Sequence, residues 1–424
     1  MSATTTQPVS HDQQRPGGPR DLREFIETLF LAGRIVHVER AASPEHEIQQ
    51  YCRAAAELGN RPSLVFDNIV GYKGKRLALN LLRSWTNCAL MCGLPANTPV
   101  AELIHELCER ADRKGCEPIW IDKAPVYECV QTDNIDLFQL LPLFRINDQD
   151  GGFYLHKACI VSEDSHAPFG PDRAKFGMYS LQVQGPDKLG VHLCGTDNLS
   201  IHLGTAEKID RSLPVAICLG VPPLASLVAA AGMGYESREY DLVSALQQSP
   251  FELTRCPNSR LSVPAWSEIV LEGFIEPKLR CPEGPFVSDR GRLTPVKNQP
   301  QIRITAVAHR RNPILDNMYV GGEWTERDCL AGLRAALRLH RYSKDILTQV
   351  ARSGTRADGM YLRLDFLNQH PENRSASQST PTPSVAQPSF TSYKRELEII
   401  RRKQSNASAV RNQDPPVPAT QSDS

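Results

Sequence analysis

The sequence predicts an α+β protein in which an N-terminal α/β region packs on a barrel-like β domain. Three observations carry that reading. Helical and strand-like periodicities alternate over roughly the first 115 residues. From about 120 to 315, strand-like runs follow one another with Gly and Pro between them. After about 366 the composition turns to QSTPTPSVAQPS and NQDPPVPATQSDS, which cannot build a core. The expected division is a disordered tail over 1–20, the α/β region over 21–115 and the β domain over 116–320. A helical segment over 321–366 and a disordered low-complexity tail over 367–424 follow.

The elements follow in order. DLREFIETLFLAG sets Leu22, Phe25, Ile26, Leu29 and Phe30 on one helical stripe, with Asp21 as N-cap and Gly33 as C-cap. RIVHVE alternates like a strand, a second helix fits 45–58, and SLVFDNI is the next strand. Strand signals then come from WIDKAPVYECVQ, FYLHKACIVSE, GMYSLQVQG, LGVHLCG, LPVAICLG, SEIVLEGFIEP and QIRITAVAHRR. A helix is expected over 326–350, carrying Leu330, Leu333, Leu337, Ile346 and Leu347. The island SYKRELEIIRRKQ reads as one charged helix inside the tail.

Composition excludes several function classes. Lysine plus arginine equals aspartate plus glutamate, 48 each, so the chain has no electrostatic footprint for nucleic acid. The most apolar stretch, LPVAICLGVPPLASLVAAAGMG, holds Pro214, Pro222 and Pro223, which break a helix. It reads as a strand (213–219), a turn (220–223) and a short helix (224–231), and not as a membrane span. The twelve cysteines contain no CxxC pair and read as small core residues of a reducing, cytoplasmic compartment. The sequons at Asn198, Asn373 and Asn406 are then chance matches.

Five ordered blocks resemble the UbiD-type decarboxylases: DLREFIETLFLAGRIVHVER, LFQLLPLFRINDQDGGFYLHKACIVSED, LPVAICLGVPP, SVPAWSEIVLEGFIEP with EGPF, and RITAVAHRRNPI. The resemblance spans roughly 21–325. It implies a split β-barrel that binds flavin, with the family's C-terminal domain largely absent. It also implies non-oxidative decarboxylation of an aromatic or α,β-unsaturated carboxylic acid by prenylated flavin mononucleotide, in which the cofactor carries the chemistry and the protein supplies position, acid and charge. The implied partners are that acid, a flavin prenyltransferase as cofactor supplier, and either a second copy of the chain or an active paralogue. Manganese and potassium ions are implied beside the flavin phosphate.

The family's working positions map here residue by residue. The run Asn-x-Gly-x-Tyr-Arg reads Lys-Phe-Gly-Met-Tyr-Ser, so Lys175 stands at the metal-binding Asn and Ser180 at the catalytic Arg. An ammonium has no lone pair for a metal, and serine has no bidentate fork. The window of the metal-binding His holds Thr196, Asp197 and Asn198, and ungapped spacing selects Asn198; His192 and His202 lie nearby. Glu239 is the one retained family metal ligand. Pro223 belongs to the turn beside the cofactor. In EGPFVSD, Glu283 keeps the first acid and Ser288 takes the place of the second, with Asp289 one position later and Gly291 holding the register. Glu283, Ser180 and Ser288 are therefore the catalytic positions, and Lys175, Asn198 and Pro223 the cofactor positions. Three readings compete: a UbiD-like decarboxylase with a degenerate site, a non-catalytic paralogue that binds or regulates an active enzyme, and another reaction on a bound carboxylic acid.

Overall fold

A computed structural model describes residues 17–59, 61–164, 174–287, 292–320, 325–342 and 388–411. The N-terminal stripe forms the helix Leu22–Leu31, with the Asp21 carboxylate accepting from the Glu24 N–H at 2.9 Å. Gly33 (φ +63°) turns the chain out of the helix in the left-handed region that glycine favours. The strand Ile35–Val38, the helix Ile48–Glu57 and the strand Ser63–Phe66 follow as expected. They join a four-stranded sheet in the order Ile35–Val38, Ser63–Phe66, Arg76–Leu79, Ile314–Asn317, so the sheet's last strand is supplied by the chain after it leaves the last barrel strand.

The β domain is a closed barrel of six antiparallel strands. Going round it, they are Ile269–Glu283, Leu213–Leu219, Phe153–Ser162, Lys175–Gly185, Lys188–Val191 and Lys297–His309, which pairs back with Ile269–Glu283. The ladder closes on itself where the resemblance implies a split barrel. Alternation fills the interior with Leu155, Leu181, Leu189, Val215, Ile217, Leu271 and Ile302, all buried. The apolar stretch is the strand Leu213–Leu219 followed by the helix Pro223–Ala231, as its prolines require. Eight of the twelve cysteines are buried and all twelve are unbridged, which agrees with their reading as core residues. No helix among the described residues is long and apolar enough to cross a membrane.

Two buried ion networks fasten the parts together. Glu268, in the SEIVLEG block, receives both Arg23 (2.7 and 2.8 Å) and Arg310 (3.1 Å), and Arg310 also reaches Asp21 at 2.8 Å. Three of the recognisable blocks thus meet in one lock between the first helix and the barrel. Lys157 lies between Asp316 (2.7 Å) and Glu326 (2.6 Å), and ties the helix Glu326–Tyr342 to the barrel. The expected continuation of that helix to 350, and its remnant to 366, lie outside the described residues, as do residues 1–16 of the expected N-terminal tail. The island in the tail forms the helix Pro388–Arg411, longer than expected. It docks on the N-terminal lobe and buries Leu397, while the low-complexity runs on either side of it lie almost wholly outside the described residues.

Candidate active site

The family positions gather into two clusters on the strand Lys175–Gly185. The first is at its start. Lys175, 6% exposed, donates its ammonium to the Ser237 carbonyl and lies 3.4 Å from Glu239 Oε2. Asn198, the first residue of the helix Asn198–Lys208, donates to Glu239 Oε1 at 3.3 Å and to the Met233 carbonyl at 3.4 Å. Glu239 itself opens the helix Glu239–Gln247. The ammonium is also 5.4 Å from the Tyr235 ring centroid, a cation–π contact. An open cleft of about 400 Å³, lined in part by Met233, Ser237, Arg238 and Asp241, borders this cluster.

These residues do not fit a divalent cation. An ammonium already sits on the carboxylate, and it offers three donors and no acceptor. Among the described residues no group of three His, Cys, Asp or Glu side chains is arranged to hold a metal. His202, a neighbour in sequence, is instead hydrogen-bonded through Nδ1 to Ser162 Oγ at 2.9 Å. Burial, with the nearby Lys175 charge, pulls its pKa down to about 4.

The second cluster lies around Ser180, roughly 17 Å from Lys175 along the strand at 3.3–3.4 Å per residue. Ser180 Oγ is 3.0 Å from His156 Nδ1 on the neighbouring strand, where the pairing is interrupted between Leu155 and Ala158. His156 stacks on Tyr154 (5.4 Å between centroids) and lies against Phe286 at 5.6 Å. Tyr154 donates its hydroxyl to Glu283 Oε1 at 2.9 Å, and His192 Nδ1 meets Glu283 Oε2 at 2.8 Å. Glu283 is 1% exposed, while His192 keeps part of its ring in solvent. Burial and the adjacent Glu283 raise the Tyr154 pKa, so its hydroxyl stays protonated and donates.

His156 is buried, and burial lowers its pKa to about 3. The ring is therefore neutral and carries one proton. When Ser180 donates to Nδ1, that proton sits on Nε2, a buried atom with no partner among the described residues.

The structure thus brings Lys175, Asn198 and Glu239 together, and separately links Ser180 and Glu283 through the Tyr154–His156 stack. Pro223 begins its helix and is buried. Ser288, Asp289 and Gly291 lie outside the described residues. His192, considered for the metal position, is held by Glu283 instead. Sequence reasoning missed Tyr154 and His156. Their i, i+2 spacing in FYLHKACIVSE was a legible signal of a shared strand face, but not of what that face meets.

Two family models match the chain. Residues 119–323 match the UbiD model, the 3-octaprenyl-4-hydroxybenzoate carboxy-lyase Rift-related domain, and residues 26–107 match the N-terminal domain of the same carboxy-lyase. A phenolic acid decarboxylase of Bacillus subtilis (strain 168) is 38% identical over 77% of this chain and 69% of its own length. One from Sedimentibacter hydroxybenzoicus is 38% identical over 78% of this chain and 70% of its own length. Among solved structures, the open form of the Sedimentibacter hydroxybenzoicus vanillic acid decarboxylase superposes with a TM-score of 0.71 at 38% identity, covering 76% of this chain and 69% of that one. The UbiD-class enzyme HmfF from Pelotomaculum thermopropionicum, in complex with prFMN, gives 0.68 at 28% identity over 76% and 71% of the two chains. With both domains matched in order and over two thirds of these decarboxylases covered, the chain belongs to the UbiD family.

Proposed function

We propose that this chain is a UbiD-like carboxy-lyase that removes carbon dioxide from an aromatic or α,β-unsaturated carboxylic acid with prenylated flavin mononucleotide, on a site that has lost several family side chains. The observation that carries the proposal is the buried Glu283 carboxyl, held on one oxygen by Tyr154 and on the other by His192. A carboxyl so fixed has a defined orientation for proton delivery, which general acid–base catalysis requires. When bound, the flavin supplies the electron sink that lets carbon dioxide leave. Glu283 holds the proton that returns to carbon. His192, part-exposed, connects that carboxyl to solvent protons.

Ser180 has no charge to orient a substrate carboxylate, and His156 answers that loss in part. Its Nε2, without a partner among the described residues, offers a neutral donor beside Ser180, and a desolvated donor left unpaired costs about 1–3 kcal/mol until something accepts from it. Five residues earlier, at the start of the strand, Lys175 supplies the positive charge for a flavin phosphate, and no step passes through a metal ion. The spacing of the two clusters suits an extended ligand with an anionic end and a reacting end.

The test is co-expression with a flavin prenyltransferase, an absorbance spectrum of the purified protein, and a panel of cinnamic, hydroxybenzoic and vanillic-type acids assayed for carbon dioxide. Bound prenylated flavin and turnover are expected. Glu283→Gln should abolish turnover, while His192→Asn should lower kcat by about 10–100-fold, within the range general acid–base groups contribute, and change its pH profile. Turnover that survives Glu283→Gln overturns the assignment of the proton donor.

A second reading is favoured by the Lys175–Glu239 pair, which closes the family metal position with a fixed ammonium. On that reading the chain is a non-catalytic paralogue that binds or regulates an active enzyme. A colourless protein after co-expression, inactive on every acid of the panel, selects it.

A further inference from the structure

The helix Pro388–Arg411 reaches the N-terminal lobe with a defined face. Tyr393, Leu397, Ile400 and Gln404 are spaced by four, three and four residues, which places them on one stripe. Leu397 is fully buried, and Tyr393 packs edge-on against the buried Tyr51 at 4.8 Å between centroids. Ile400 packs into the same apolar cluster. Charged pairs flank the stripe. Arg40 bridges Glu47 (2.7 Å) on the lobe and Glu396 (2.8 Å) on the helix, and Lys394 lies 3.6 Å from Glu57. Arg395, Glu398, Arg402 and Lys403 face solvent.

Among the described residues the strand Ile35–Val38 is an edge of its sheet, paired on one side with Ser63–Phe66. The Gln404 side chain donates to the His37 carbonyl at 3.0 Å and accepts from the His37 N–H at 3.1 Å. A primary amide thus makes the two hydrogen bonds that a neighbouring strand would make. An open edge strand beside an apolar groove is a template for pairing with another chain.

We propose that this face of the N-terminal lobe is a helix-docking surface, that its occupant is the chain's own C-terminal helix, and that the docked helix shields the Ile35–Val38 edge from a second copy of the chain. The surface recognises the pattern Tyr-x3-Leu-x2-Ile-x3-Gln with an acidic residue before the leucine to meet Arg40. The inference stands apart from the decarboxylase reading, since none of these residues belongs to either cluster of the candidate active site.

The experiment uses the full chain and two variants, Gln404→Ala and Leu397→Asp/Gln404→Ala. Hydrogen exchange is followed for peptides covering Ile35–Val38 and, as a folding control, Leu213–Leu219. Gln404→Ala should speed exchange in the edge strand at least about tenfold, the factor carried by about 1.4 kcal/mol, near the worth of one hydrogen bond, and leave the barrel strand unchanged. The double variant should shift to larger species in light scattering at rising concentration. A synthetic 388–411 peptide added in excess should reverse that shift, whereas the same peptide with Leu397→Asp should not. Unchanged edge-strand exchange in Gln404→Ala overturns the capping role. A double variant that keeps the parent's mass at every concentration, with the control strand still protected, overturns the shielding role. Reversal by neither peptide overturns the recognition pattern.

Discussion

His156 and Lys175 show how one buried side chain sets local chemistry. Burial holds the His156 imidazole neutral in the native state down to about pH 3, whereas in the unfolded chain it takes up a proton near its ordinary value of 6.5. Below pH 6.5 the unfolded state therefore binds more protons, and stability falls as pH drops from 6.5 towards 3, with a slope approaching about 1.4 kcal/mol per pH unit. Urea unfolding of the parent and of His156→Gln across pH 4–7 should show a shallower loss in the variant; parallel curves would refute the assignment. Lys175 acts through its fixed charge on Glu239. Lys175→Asn replaces an ammonium with a side chain that has an acceptor oxygen, and should raise manganese affinity from undetectable to measurable in titration calorimetry. Manganese bound by the parent with the same affinity would show that the ammonium does not guard the position.

At the scale of the element, the turn after the strand Leu213–Leu219 shows why the motif needs its glycine. Gly220 sits at φ +63°, and a Cβ there would come within 2.8 Å of Glu268 Cβ and Cγ and 3.1 Å of the Ile314 carbonyl. Gly220→Ala should therefore destabilise by more than the roughly 1–2 kcal/mol that left-handed backbone costs an ordinary residue. It should also disturb the Glu268 lock, and a lowered denaturation midpoint with an unchanged m-value is the expected result. The SEIVLEG block also braces a neighbouring turn. Glu272 accepts from the backbone N–H groups of Asn258 and Ser259 and so closes the turn between the strands Glu252–Arg255 and Ser262–Pro264.

Across the whole molecule, two buried ion networks hold lobe, barrel and helix in one arrangement. Glu268→Ala would leave Arg23 and Arg310 without their shared carboxylate, and should cost about 3–5 kcal/mol, the range for breaking a buried pair from one side; a change below about 1 kcal/mol would show that the lock adds little. The Lys157 network has the opposite pH sign to His156. Burial raises the Glu326 pKa to about 7, with Lys157 opposing, so the native state holds a proton that the unfolded chain releases near its ordinary value of 4.5. Stability from this group is thus present at low pH and lost as pH rises through about 7. Glu326→Gln should remove that loss in unfolding curves measured between pH 5 and 8.

Local pattern was enough to determine the helix Leu22–Leu31 with its Asp21 cap, the strand–turn–helix over 213–231, the density of barrel strands and the membership of the family. Each depends on periodicity, on proline and glycine placement, or on side chains close in sequence. The sequence also put Ser180 on the strand GMYSLQVQG, and the structure extends that strand back to Lys175. Only the tertiary structure decided that Lys175 and Asn198 meet at Glu239, that Tyr154 and His192 hold Glu283, and that His156 stands beside Ser180 with a nitrogen that has no partner among the described residues. Those contacts join residues up to 129 positions apart, as Tyr154 and Glu283 are. They depend on which strands are neighbours and where the pairing slips, and neither is written in any local window of the chain. The C-terminal helix is the same case: its composition reads as charged and solvated, and its one buried leucine has a partner surface only because the N-terminal lobe folds to provide it.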